Sequence, residues 1–349
     1  MGVAPSSPAC FWYGMVRSRL LATLLAAAAL AGCGSPSVSD LSGAGVADAA
    51  PGARLTALTD MDQRVARVAW RLMSANVGLC PVVRQSAGWA IHSANQYSLE
   101  MRPIAEQRFA LNGDLPGILS APEGSPAAVA GLRTGDLILA VNGVALERGV
   151  EGRRPQYEGL AANLRQLDAA LAGGTTQLTI LRAGQSQSLS ILPVRACGYE
   201  VQLNPSDDLG ARADGRRLFI NTALADFART DDELALILGH ELAHNVLGHR
   251  SWSETGGEGR TVVDRDCAPQ LCADGDKERQ ADRVGLYLMA RAGYRPETGT
   301  AFWERYADFN WQVRFPSFSH ASAGTRARRL AVVQQEIEAR QAAGQPLDP

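Results

Sequence analysis

Apolar positions set the first expectations. Between Thr59 and Leu79, Val65, Val68, Leu72 and Met73 recur at helical spacing, and Asp60 stands where a cap would. That spacing predicts a helix packed on a neighbour. From about Glu106 to Arg195 the pattern changes to short runs, "RFAL", "GILSA", "DLILAVNG", "TQLTILRAG" and "QSLSILPV", separated by Gly and Pro. These read as strands and turns. A helical stretch, about Tyr157 to Ala172, interrupts them. Pro126 and Ala127 can open a short helix, Gly131 can end it, and Asn142-Gly143 is a hairpin turn.

From Tyr199 onward the period is mainly helical. "RRLFINTALADFA" reads as a strand entering a helix. "TDDELALILGHELAHNVLGH" opens with a capping box, Thr230 with Glu233, and places Asp231 and Asp232 at the positive end of the helix dipole. "DGDKERQADRVGLYLMARAGYRP" is a second helix, stopped by Gly293 and Pro296. Two more are expected around Glu297–Asn310 and Ala323–Ala342. The fold class is therefore α+β: a helical segment over 56–105, a small β-rich domain over 106–196, and a mainly α-helical domain over 197–349.

The first residues stand apart. In "MVRSRLLATLLAAAALAGCGS", two arginines precede an apolar run from Leu20 to Ala31 that is too short to span a bilayer, so residues 1–32 read as a secretory signal. Leu30-Ala31-Gly32-Cys33 resembles a bacterial lipobox. That resemblance implies cleavage before Cys33, lipidation of its thiol and, with Gly34 and Ser35 following, an outer-membrane destination facing the periplasm. Residues 33–55, rich in Gly, Ser, Ala and Pro, read as a flexible tether.

Composition narrows the classes. A net charge of −2 over 349 residues gives no basic face for nucleic acid. Six cysteines are too few for a disulfide scaffold. Export nonetheless places them in an oxidising compartment. Their layout favours Cys80–Cys197 and Cys267–Cys272 among the three pairings that four cysteines allow.

The segment "GILSAPEGSPAAVAGLRTGDLILAVNGVAL" is similar to bacterial PDZ domains. The resemblance implies capture of a peptide as an added strand beside a carboxylate-holding loop, here Leu115, Pro116, Gly117 and Ile118. Pro116 removes one donor from that loop. The other reading is a PDZ fold used as a spacer or an intramolecular brake.

The chemistry sits in "HELAH". His240 and His244 lie about 40° apart around a helix, so both imidazoles share one face, the arrangement that binds zinc in many peptidases. Glu241 beside them suits a general base and then a proton donor. His249 does not meet the H-E-x-x-H-x-x-G-x-x-H spacing, and on a continuing helix it would point away from the metal. The better third ligand is Glu278, which shares a helical face with Asp282; beside them, Ala281 is small enough for close packing. Asp282 would hydrogen-bond a ligand imidazole. Alone, Glu278 and Asp282 could equally be a solvated face with Lys277, Arg279 and Arg283; the upstream "HELAH" decides for the site. His92 reads as structural.

Together "GHELAHNVLGH", "ERQADRVGLYLMARAGY" and "SHASAGTRARRL" resemble the zinc metalloendopeptidase family of HtpX, the CAAX prenyl endopeptidases and the Oma-type peptidases. The resemblance implies one Zn2+ per chain and protein or peptide substrates, here unfolded or misassembled envelope proteins. It also implies that His320 stabilises the oxyanion or latches the metal, and that Arg326 stabilises charge. His320 is followed by Ala321 where the family usually has proline. A non-enzymatic alternative is an envelope assembly or chaperone factor with a silent or latched zinc site.

Overall fold

A computed structural model describes residues 50–249, 273–310 and 321–349. The first element, α1, runs from Pro51 to Ala75. It starts eight residues before the expected beginning at Thr59, so Asp60 lies inside it and the last residues assigned to the tether are helical. "PGARLTAL" resembles the tether in composition, but Pro51 presets the first turn and Leu55 is fully buried. Long-range packing, not local pattern, extends the helix.

The β-rich domain is a mixed set of short elements: β1 (Val83–Ser86), β2 (Ala90–His92), α2 (Arg102–Phe109), β3 (Gly117–Ser120), α3 (Pro126–Val129), β4 (Leu137–Val141), β5 (Val144–Ala145), α4 (Glu158–Ala172), β6 (Thr176–Arg182), β7 (Gln185–Ile191) and β8 (Val194–Cys197). One sheet has the order β2-β3-β4-β6-β7, with β5 on β4. The sheet therefore begins upstream of residue 106, inside the segment read as helical. "RFAL" is not a strand either: it closes α2, where Ala110 takes a left-handed φ of 52°. The expected turn at Asn142-Gly143 is present, with φ of 47° and 79° and Val141 paired to Val144. Ser125 caps α3 through a bond from the Ala128 N–H.

β1 pairs with β8, and Cys80 joins Cys197 in a disulfide with a Cα–Cα distance of 5.5 Å. It closes the two chain ends of the β-rich domain. Cys33, Cys267 and Cys272 lie outside the described residues.

The helical domain starts with a three-stranded sheet, β10-β11-β9, from β9 (Glu200–Asn204), β10 (Ala211–Ala213) and β11 (Arg217–Asn221). Among the described residues, five helices follow: α5 (Thr222–Phe227), α6 (Asp231–Val246), α7 (Asp274–Arg291), α8 (Thr298–Phe309) and α9 (Ala323–Ala342). Thr230 caps α6 as expected. The reciprocal half of the box differs: the Glu233 carboxylate accepts from the Arg229 N–H and pairs with Arg305.

The core is divided in two, and α1 reaches into both parts. Leu55 belongs to the β-rich core, whereas Val65, Val68, Leu72 and Met73 belong to the helical core. Polar bonds fix the same helix at its middle and at its C-terminal end. Gln63 Nε2 donates to Leu119 O on β3 at 2.9 Å; Arg64 Nε meets Asp231 Oδ1 of α6 at 2.9 Å; Asn76 Nδ2 donates to Leu288 O of α7 at 2.9 Å. No described helix is long and apolar enough to cross a membrane.

Candidate active site

Helix α6 is buried almost all round, with the apolar run Leu234–Leu238 ahead of the histidines, and its "HELAH" face is fixed by the core behind it. Helix α7 crosses it where two glycines meet. A Cβ on Gly239 would stand 2.9 Å from Gly285 O, and one on Gly285 would stand 2.8 Å from His240 N. The backbones touch there, and this brings Glu278 to the histidines.

The three expected ligands converge. His240 Nε2 lies 3.1 Å from His244 Nε2; Glu278 Oε2 is 3.3 Å from the first and Oε1 is 3.4 Å from the second. One ligand atom from each lies within 4.8 Å of the others. The donor set fits zinc: two imidazole nitrogens and one carboxylate, the three-ligand composition of catalytic sites that keep a position for water. The far nitrogens support the fit, because each Nδ1 is held from behind. Asp282 Oδ1 is 3.0 Å from His240 Nδ1, as the sequence suggested.

Behind His244 the arrangement differs from the expected one. α6 does not continue to His249. It stops at Val246, Gly248 turns with φ of 67°, and the His249 N–H bonds back to His244 O at 2.9 Å. This Schellman-type closure folds the side chain inward. His249 is buried, with Nδ1 at 3.0 Å from His244 Nδ1. It is not one of the three converging ligands, and it is not an outward helix-face residue.

Arg326 departs from its expected role. Its Nε is 3.0 Å from Asp282 Oδ2, its Nη2 meets Asp282 Oδ1, and its guanidinium lies 3.7 Å over the Trp303 ring. The group is buried and its charge is matched by Asp282, so it holds the carboxylate that holds His240. Burial would raise the Asp282 carboxyl pKa, but Arg326 and His240 outweigh it and keep the group ionised. For His240 burial works downward, and Asp282 with Glu278 outweighs it, raising the imidazole pKa. His320 lies outside the described residues.

The loop assigned to carboxylate capture is already committed. The Ile118 N–H bonds Asp136 O, the Leu115 N–H bonds Asn112 O, and Pro116 has none to offer. Gly117 is locked between His92 and Leu137. β3 has a strand on each side, so it cannot take another; the exposed edge beside it is β2. The same reasoning applies to Leu218–Asn221. That strand, β11, is the middle of its sheet, and the edge near α6 is β10. His92 is structural: buried, with Nδ1 2.7 Å from the Tyr97 hydroxyl and its ring against Phe109.

A cavity of about 390 Å³ adjoins the ligands. Glu241 lines it, together with Trp303 and Tyr306 of α8, residues no sequence motif singled out.

Comparisons with known proteins meet these observations. Residues 195–258 match Peptidase family M48, and residues 117–152 match a PDZ domain. Mitochondrial metalloendopeptidase OMA1 of Saccharomyces cerevisiae is 27% identical over 115 residues, 28% of this chain and 33% of the relative. The chain thus spans about a third of the length of that curated relative. The family match includes His240, Glu241 and His244 but stops before Glu278, whose place rests on geometry. Motif and geometry agree: a stretch similar to Peptidase family M48 lies behind a stretch similar to a PDZ domain, and Glu278 completes a three-residue cluster with the two histidines of the matched stretch.

Proposed function

We propose that this chain is a zinc-dependent endopeptidase that cuts extended segments of unfolded or misassembled envelope proteins. The observation that carries the reading is the convergence of His240 Nε2, His244 Nε2 and the Glu278 carboxylate beside a cavity lined by Glu241. Zinc held by these three residues would supply Lewis acidity toward water and the scissile carbonyl. Glu241 takes the proton of the attacking water and returns it to the leaving amine. Asp282 keeps the His240 ring oriented, and Arg326 keeps Asp282 ionised and in place. The cleft rim at Leu209, Gly210 and Ala211 leads into β10, an edge onto which an extended substrate can pair its backbone.

The PDZ domain serves substrate binding or gating, joined to the catalytic helices through α1. The "LAGC" box supports a lipid anchor at Cys33 and a place on the outer membrane facing the periplasm. The test is digestion of a permanently unfolded protein by zinc-loaded wild type and by Glu241→Gln. Loss of cleavage with retained metal supports the mechanism. Equal cleavage rejects it, and no cleavage by either protein points to a binding or assembly role.

A further inference from the structure

We infer that the cavity beside the ligands is a side-chain pocket that selects a bulky apolar residue, aromatic above all, next to the bond that is cut. The inference rests on the peptidase reading and narrows its substrate class. The volume of about 390 Å³ is near the small end of ligand pockets, which run from roughly 300 to 1,000 Å³, so it suits one large side chain rather than a folded segment.

One side of its wall is apolar and aromatic. Phe302 and Tyr306 are stacked, with planes 15° apart and centroids at 6.0 Å. Trp303 stands edge-on to Tyr306 at 5.4 Å. Leu236 of α6 contributes on the opposite helix. An incoming aromatic ring meets rings arranged for edge and offset contacts.

Charge points the same way. Among the described residues of the wall the one guanidinium, Arg326, is bound to Asp282 and lies flat on Trp303, so it does not recruit an acidic side chain. Glu241, which is not one of the three converging ligands, lines the same cavity and disfavours one. An aspartate or glutamate entering here would be buried beside like charge among apolar groups.

The experiment uses the full chain loaded with zinc and a series of Gly/Ser-rich peptides, each with a single guest residue: Phe, Leu, Ala, Lys or Glu. Phe and Leu peptides should be cut with kcat/KM at least about tenfold above Ala, the discrimination an apolar pocket typically gives. Trp303→Ala should shrink the Phe-to-Ala ratio, and Trp303→Phe should restore most of it. A wild-type ratio near one, or preference for Lys or Glu, overturns the inference while leaving the peptidase reading intact. If no peptide is cut, the peptidase reading fails, and binding decides the pocket. Phe peptide added to Glu241→Gln should then change tryptophan fluorescence saturably, and the change should vanish in Glu241→Gln/Trp303→Phe. No saturable change overturns the pocket.

Discussion

His249 Nδ1 lies 3.0 Å from His244 Nδ1, on the side of the ring away from Glu278. A neutral imidazole has one N–H, so a His244 that offers its Nε2 lone pair to a metal must donate from Nδ1. His249 is the acceptor that fixes this tautomer and the ring plane. His249→Ala should weaken zinc binding about 10- to 100-fold, the usual cost of losing such a support. Competition against a chromophoric chelator measures it. Unchanged affinity would mean that His249 only fills space.

The Gly239–Gly285 contact makes a second prediction. Gly285→Ala puts a methyl 2.8 Å from His240 N and 2.9 Å from Gly239 C, backbone atoms that cannot rotate away. The helices must separate, which costs on the order of 1–3 kcal/mol and draws Glu278 away from the histidines. Both the midpoint of urea unfolding and zinc affinity should fall. Gly275→Ala is the internal control: it lies in the first turn of α7 with nothing within 4 Å, and it should leave stability equal or slightly higher.

These two contacts mark where sequence stops being sufficient. His240, Glu241, His244, Glu278 and Asp282 were legible because spacing within a helix fixes which residues share a face. Gly239 and Gly285 sit inside the same motifs, yet their meaning needs the crossing of two helices. His249 departs from the helix-continuation expectation because Gly248 is a left-handed stop, which counting residues along a helix does not show. The PDZ signature identified β3, α3 and β4 correctly. It did not say that β2, drawn from a segment read as helical, occupies the edge of β3, and so the capture loop was assigned to backbone already bonded.

The Arg326–Asp282 pair predicts a coupled loss. Both side chains are buried, and removing one leaves the other charge without its partner. Arg326→Ala should cost about 3–5 kcal/mol in chemical denaturation. Arg326→Lys keeps the charge but not the two-point grip or the flat contact with Trp303, and should recover part of that stability. If Lys restores stability fully while zinc affinity stays low, the orientation of Asp282 toward His240 is the part that requires arginine.

Asp62 sets a pH dependence far from the metal ligands. It sits on α1 between the residues that enter the two cores, and burial raises its carboxyl from 3.8 to about 7. The neighbouring Tyr97 phenol is likewise raised, first by burial and then by the Asp62 charge. With the folded pKa above the unfolded one, the native state holds a proton that the unfolded chain releases between about pH 4 and pH 7. This group therefore favours folding most at low pH, loses that contribution as pH rises toward 7, and adds no further slope above it. Asp62→Asn removes the charge and keeps the shape. It should unfold at higher urea than wild type at pH 8, by on the order of 2 kcal/mol, with the difference shrinking toward pH 5. A less stable Asn variant at pH 8 would show that the ionised carboxylate, not its burial, dominates at this junction between α1 and the PDZ domain.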